Sequence, residues 1–324
     1  MKKQIVTTAC IASLWALSFS CTKKDEAKVY QQASLVRVST TAHATIPEGV
    51  KEKPAQVFSG KGNAEILFTG AEGTDVRIPS HALVSADGSP YLGIVRIELI
   101  EIFKKSEMIL NNAPTMSGGK ALISGGEFSI KAYDDAGNPL SIALGRGIVV
   151  DVPAPAPDNN MALFTSSSQG ADWQLVDAST VTRVTLNDSL QQGTTAPTIE
   201  INKLDYRCIL KEFTWYNCDY FMRENISTIN VSTEAYAPTQ LFRAQAYVVY
   251  RNKNSVIMVT GDDFKVIQDE PFTLVYVGYD INGQIYYDIK EQPASAKDLS
   301  GIKINLTLGT REAFAAALST KVDS

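Results

Sequence analysis

Apolar and polar side chains alternate with a period of two along most of this chain. In Leu92-Gly93-Ile94-Val95-Arg96-Ile97-Glu98-Leu99-Ile100-Glu101-Ile102-Phe103, apolar side chains take one face and Arg96 and Glu98 the other. Such alternation marks a strand with one buried face. Shorter runs of the same kind are Ala64–Phe68, Val76–Pro79, Phe128–Tyr133, Ile148–Pro153 and Met161–Phe164. Gly, Pro, Asn and Asp separate them, and no helical period runs through this part. Short strands at close intervals predict an antiparallel sandwich. Ser34–Val38 reads as an isolated strand joining the first sheet. The stretch Asn187–Thr198 breaks the pattern with turn and linker residues. Strands resume at Ile199. Leu241–Tyr250 pairs with Ser255–Thr260 through Arg251–Asn254, and Asp280-Ile281-Asn282-Gly283 joins Phe272–Tyr279 to Gln284–Ile289 as a hairpin. Ile302–Leu308 is the last strand. Thr310 then caps a short helix, Arg311–Leu318, with Glu312 near its positive end.

The expected fold class is therefore all-β: two antiparallel β-sandwich domains with a short C-terminal helix. The expected divisions are a signal at 1–20, a tether at 21–50, a first sandwich at 51–188, a linker at 189–198 and a second β-rich domain at 199–324. Leu274, with Phe272 and Tyr276 on the same face, is an expected core position of the second domain.

The N-terminus has a different pattern. Lys2 and Lys3 precede an apolar run from Ile5 to Phe19, with small Ser20 just before Cys21. The run is too short for a relaxed membrane span and suits an export signal. It resembles a bacterial lipoprotein signal, with Leu17 four residues before the cysteine and Ser18 in the usual aliphatic place. That resemblance implies cleavage before Cys21 and its acylation, and so a membrane lipid as partner. Lys24-Asp25-Glu26 resembles the surface-export tag of Bacteroidota lipoproteins. Together they imply a lipid-anchored protein of the outer membrane, facing the cell exterior. No later segment reaches about 18 consecutive apolar residues.

Removing the signal leaves 304 residues (324 − 20) with a net charge of −7 (28 − 35). Hydrophobic residues at 44% are enough for packed domains. No basic cluster follows the tether, which argues against a nucleic-acid partner. Cys10 leaves with the signal, so Cys208 and Cys218 are the remaining thiols. Nine residues separate them: a turn there would allow a disulfide, and one continuous strand would forbid it.

The chemistry is mostly one of absences. His43 lies in the tether and His81 in a loop, so a Ser-His-Asp triad has only His81 to draw on. No Gly-x-Ser-x-Gly, His-Glu-x-x-His, Cys-x-x-Cys, P-loop or dinucleotide fingerprint occurs. The expectation is a non-enzyme without cofactor or metal. Asp134-Asp135, Asp262-Asp263 and Asp280-Ile281-Asn282 fit Asx turns better than a calcium loop. Trp173, Tyr216 and Tyr220, with Trp215, are candidates for stacking on a sugar ring, and Trp215 is the one most expected in a core. Asn217-Cys218-Asp219 reads as a structural corner. Asp188-Ser189-Leu190 resembles the O-glycosylation site of Bacteroidota envelope proteins and makes Ser189 a candidate acceptor.

Two wider resemblances remain. Gly73–Leu83, with Gly88 and Ile94–Ile100, resembles the β-sandwich module shared by zonula occludens and netrin-receptor proteins. Relatives of that module cleave themselves at His-Phe-Ser. Here Phe58-Ser59 and Phe128-Ser129 lack the histidine, so the reading is Phe in the core and Ser at the surface. Asn112–Thr115, Ser124-Gly125-Gly126, Met161–Phe164 and Phe213–Phe221 look like a family of uncharacterised Bacteroidota surface lipoproteins. That resemblance implies a place and a fold but no activity. The functional expectation is adhesion, binding of a protein or glycan partner, or envelope scaffolding. The alternatives are a glycan-binding accessory of a nutrient-uptake complex and, third, an autoprocessing or hydrolytic module.

Overall fold

The computed structural model describes residues 35–40, 53–167, 172–176, 197–223, 227–296 and 298–323. The chain begins with Val36–Arg37 (β1), Gln56–Lys61 (β2), Ile66–Thr69 (β3), Asp75–Ile78 (β4), Leu83–Val84 (β5) and Ile94–Ile102 (β6). Helix Lys105–Leu110 (α1) precedes Met116–Ser117 (β7), Lys120–Tyr133 (β8), Ser141–Ile142 (β9), Ile148–Pro153 (β10), Ala162–Ser166 (β11) and Gln174–Leu175 (β12). Thr198–Ile201 (β13), Asp205–Leu210 (β14), Trp215–Phe221 (β15), Thr228–Ala237 (β16), Arg243–Tyr250 (β17) and Val256–Val259 (β18) follow. Asp263–Ile267 (β19), Phe272–Tyr279 (β20), Ile285–Gln292 (β21), Ile302–Asn305 (β22), Thr307–Gly309 (β23) and helix Arg311–Val322 (α2) complete the series.

The architecture is all-β and antiparallel, apart from one parallel pairing of β16 with β22. Among the described residues, four larger sheets enclose three cores, and β5 and β9 form a separate two-stranded pair. The first sheet runs β13-β14-β10-β4-β3 and the second β12-β11-β15-β8-β6-β2, with β7 on β8. Between them lies a core that includes Val76, Val150 and Cys208 from one side and Ile97, Phe128 and Cys218 from the other. The third sheet runs β18-β17-β20-β21-β23, and the fourth is β1-β16-β19 with β22. These two enclose a second core, which includes Val231, Val248, Leu274 and Ile304. The remaining core lies between the second and third sheets. It joins Ile102, Leu122, Phe164 and Trp215 to Tyr247, Val249, Val275 and Val277, together with both helices.

The two central sheets are thus apolar on both faces. On β20, Phe272, Leu274 and Tyr276 enter one core and Val275 and Val277 the other. The pleat alone explains this, since successive side chains point to opposite faces. Leu274 is a core residue with Phe272 and Tyr276, as the alternation predicts. The α2 helix starts where expected, with Thr310 Oγ1 accepting the Ala313 N–H at 3.1 Å, and runs a turn further. Phe314, Leu318 and Val322, four residues apart, bury one face.

Strand pairing does not respect the expected boundary at 189–198. The strands β13, β14 and β15, at 198–221, belong to the first two sheets: β14 pairs with β10, and β15 with β8 and β11. Residues 177–196, which take in most of the expected linker at 189–198, lie outside the described residues. Backbone bonds also cross between the second and third sheets. Thr115 N–H donates to Val256 O (2.8 Å), Val256 N–H to Thr115 Oγ1 (2.9 Å) and Ser124 N–H to Asn254 O (2.8 Å). Asn112, in the left-handed region at φ 50, accepts from Gln245 Nε2 (3.1 Å) and the Tyr247 hydroxyl (3.0 Å). The α1 helix meets α2 through Ser106 and Asp323.

Three other local expectations are corrected. β1 pairs with β16 of the fourth sheet, not with the first. The last strand is two strands: Asn305 ends pairing with β16, Leu306 N–H donates to Tyr236 O, and β23 turns to β21 of the other sheet. Helix α1 interrupts a region expected to be free of helix. Its six residues are too few to print a period in the sequence, although Met108 and Ile109 are buried.

Candidate functional site

Cys21, Lys24, Asp25, Glu26 and Ser189 lie outside the described residues. The stacking candidates do not form a platform. Trp173 is 1% exposed, and its Nε1 donates to Pro114 O at 3.2 Å. Tyr216 is fully buried, stacks on Phe128 at 5.7 Å and donates its hydroxyl proton to Glu212 O. Trp215 is buried, as the core reading has it, and Tyr220 is half-buried. Rings sealed in two different cores offer no face to a sugar. His81 stands exposed in a loop at φ 59. Asp134 and Asp280 act as Asx turns: Asp134 Oδ1 accepts from Ala136 N and Asn138 N, and Asp280 Oδ1 from Asn282 N and Gln284 N. Asp262 pairs with Arg37.

The unusual chemistry is elsewhere, on the β8–β15 ladder. Asn217 lies opposite Glu127, and Asp219 opposite Ser124, with a register shift between Asn217 and Asp219. Two residues of β15 therefore span three of β8. The surplus residue lies at Gly125-Gly126, where Gly126 adopts φ 136. Any larger residue at Gly126 would place its Cβ 2.7 Å from the Phe103 ring. Residues three apart on a regular strand face opposite ways. The bulge changes that parity, so Ser124 and Glu127 share a face. The same face carries Ser129, Asn217 and Asp219, and it is turned toward the third sheet. Phe128, Ile130, Tyr216 and Cys218 take the opposite face, in the first core.

Five polar side chains thus lie in a closed interior. Glu127, Asn217 and Asp219 are 0% exposed. Ser124 Oγ donates to Asn217 Oδ1 at 2.8 Å and accepts the Gly126 N–H at 3.0 Å. Its one proton is thereby used. Both oxygens of Glu127, both of Asp219, Ser129 Oγ and Asn217 Nδ2 have no hydrogen-bond partner. Burial, and then the charge of Asp219, push the Glu127 carboxyl well above the usual carboxylate range. Burial does the same to Asp219, opposed by nearby Ser124. Ser129, expected at the surface, is 2% exposed.

Glu101 on β6 shows what a satisfied buried carboxylate looks like here. It too is fully buried, but it accepts from Gln56 Nε2 (2.7 Å) and from the backbone N–H groups of Glu72 and Thr74 (both 3.1 Å).

Behind the polar group, in the first core, Cys208 and Cys218 bring their sulfurs to 3.7 Å from opposing sheets. They are free, buried thiols. The hydrogen bond to Cys208, then burial, push the Cys218 thiol up. The intervening residues form a strand, a turn and a strand, so the continuous strand that would keep the sulfurs far apart is not found: the turn brings them together, and they remain free.

Chemically, this arrangement is not a catalytic cleft. A glycosidase pair needs two carboxylates flanking a bound sugar. Glu127 and Asp219 are such a pair in composition, but no solvent reaches them. An open cavity of about 370 Å³ lies elsewhere, beside Lys131, Tyr133, Lys211 and Phe213. The signal for the buried group was in the sequence, in Ser124-Gly125-Gly126-Glu127 and Asn217-Cys218-Asp219. Nothing local to either stretch revealed their pairing. No family model and no curated protein matches the chain.

Proposed function

We propose that the protein is a lipid-anchored lipoprotein of the bacterial outer envelope, facing the cell exterior, that acts as a non-enzymatic binding or scaffold element. The observation that carries this reading is the N-terminal pattern: Lys2 and Lys3, the apolar run to Phe19, Ser20-Cys21, then Lys24-Asp25-Glu26. Several acyl chains on one cysteine give lasting attachment, at about 0.8 kcal/mol per buried methylene. No described helix is long and apolar enough to cross a membrane, so in this reading attachment rests on the lipid.

Two features of the fold support a structural role. The acidic pair and the thiols that would offer chemistry are closed to solvent. The central sheets are buried on both faces, which favours one stiff body over parts that close on a substrate. Burial of Trp173 and Tyr216 weakens the glycan-accessory alternative.

The test is direct. Cys21→Ala abolishes labelling by a fatty-acid analogue and releases the chain from membranes. Equal labelling of the variant sinks the reading. Protease added to intact cells removes the protein, and alanine at Lys24, Asp25 and Glu26 protects it. A wild type that is protected until lysis rules out the exterior placement.

A further inference from the structure

We propose that Glu127, Asp219 and Asn217 hold a divalent, oxygen-seeking cation of the calcium class, buried between the second and third sheets. Four carboxylate oxygens stand at this point without a hydrogen bond and without solvent. Native proteins almost never leave buried polar atoms so, because each orphan forfeits its hydration without a replacement. Protonation does not resolve the deficit. A neutral carboxylic acid must still donate its proton, and protonation alone leaves the remaining carboxylate oxygens, Ser129 Oγ and Asn217 Nδ2 without partners.

The uncharged members of the group point the same way. Asn217 is fully buried, and one end of its amide has no partner. Turning that amide over keeps the bond to Ser124 Oγ, now donated by Nδ2, and presents Oδ1 as the free end. The Ser124 hydroxyl proton is then released toward Asp219. Ser129 Oγ, also unpartnered, lies two residues along the same face as Glu127. Every ligand is then oxygen, which selects a hard cation over zinc or copper. Two carboxylates supply the charge that balances a 2+ ion. The described residues contain no set of three His, Cys, Asp or Glu side chains around one point. The amide and hydroxyl oxygens are therefore needed to complete the shell. The double-glycine bulge gives the group its shape, because without the surplus residue Glu127 and Ser124 could not share a face.

This inference is independent of the membrane reading. It is tested on the mature full chain purified from membranes, by elemental analysis and by thermal melting. Because the site is closed, exchange requires unfolding, so the chain is unfolded and refolded either in chelator or in calcium chloride. About one calcium per chain is expected. A hundredfold excess of calcium over its dissociation constant raises the melting midpoint by about 4–5 °C over chelator. The isosteric variants Glu127→Gln and Asp219→Asn lose the metal and the calcium response. If either fails to fold, the wild-type comparison alone decides. A metal-free wild type with identical melts in chelator and calcium overturns the proposal, as does stoichiometric zinc.

Discussion

The outer two cores and the middle core solve the same packing problem with different materials. Each outer core is closed by two sheets, and its buried tyrosine hydroxyls are satisfied, although Thr74 Oγ1 beside Glu101 has no partner. In the first, the Tyr206 hydroxyl accepts from Asp158 N and Tyr216 donates to Glu212 O. In the second, Tyr276 and Thr233 share a hydrogen bond at 2.7 Å, and the Tyr250 hydroxyl accepts from Ile267 N. The middle core uses helices as well as sheets and carries orphaned carboxylates next to Trp215 and Leu122. Such a junction resembles an interface between domains in composition, yet it is threaded by backbone hydrogen bonds. The lesson is that polarity at a junction does not imply separability. An interface becomes divisible when few contacts cross it, and here strands, helices and side-chain amides all cross.

Breaking an outer core tests that lesson most severely. Leu274→Asp places an uncompensated charge where no solvent reaches, which costs more than about 4–5 kcal/mol. Because β20 faces both the second and the middle core, the whole of residues 53–323 should lose its structure in one transition. A calorimetric trace in which the first two sheets melt unchanged would restore the picture of two independent halves. Damage confined to the middle core should be smaller. Phe314→Ala removes the α2 ring that packs against Tyr287 at 4.9 Å, at an expected cost of about 3–5 kcal/mol by denaturant titration. A loss below about 1 kcal/mol would make α2 an appendage rather than a wall. The smallest effect sharpens the polar side of the comparison. Tyr247→Phe removes one donor to Asn112 while Gln245 continues to donate, so the loss should be about 0.5–1.5 kcal/mol. A neutral result would mean that the hydroxyl contributes nothing at the junction.

Much of the fold was legible along the chain because its strands carry strict alternation. The β6, β10, β17, β20 and β21 strands and the Asp280–Gly283 hairpin all follow from a period of two and turn residues. What stayed hidden was pairing across distance. The sequence around Thr198–Phe221 reads as strands, but nothing in it says that β14 joins β10 rather than the strands that follow. Likewise, alternation places Phe272, Leu274 and Tyr276 together, but it does not announce that the opposite face of β20 is also buried. Asn112–Thr115, Ser124–Gly126, Met161–Phe164 and Phe213–Phe221 converge on the middle core and the sheet beneath it. Their meaning as a group emerges only when the chain is folded. The candidate acids escaped notice because a glutamate after Gly-Gly and an aspartate after Cys look like ordinary turn or surface residues. Only the bulge turns them to one side.

The attachment of β1 has a mechanical consequence. Two residues on β16, the Val38 N–H to Ala235 O, the Val38 side chain in the second core, the Arg37–Asp262 pair and the contact of Thr40 with Gly261 help fasten this segment to the fourth sheet. If the polypeptide is held by its N-terminal end, a pull on the body loads this short ladder before any long strand. The segment would work as a breakaway clip, letting go under tension while the stacked sheets stay whole, and rejoining when the load falls.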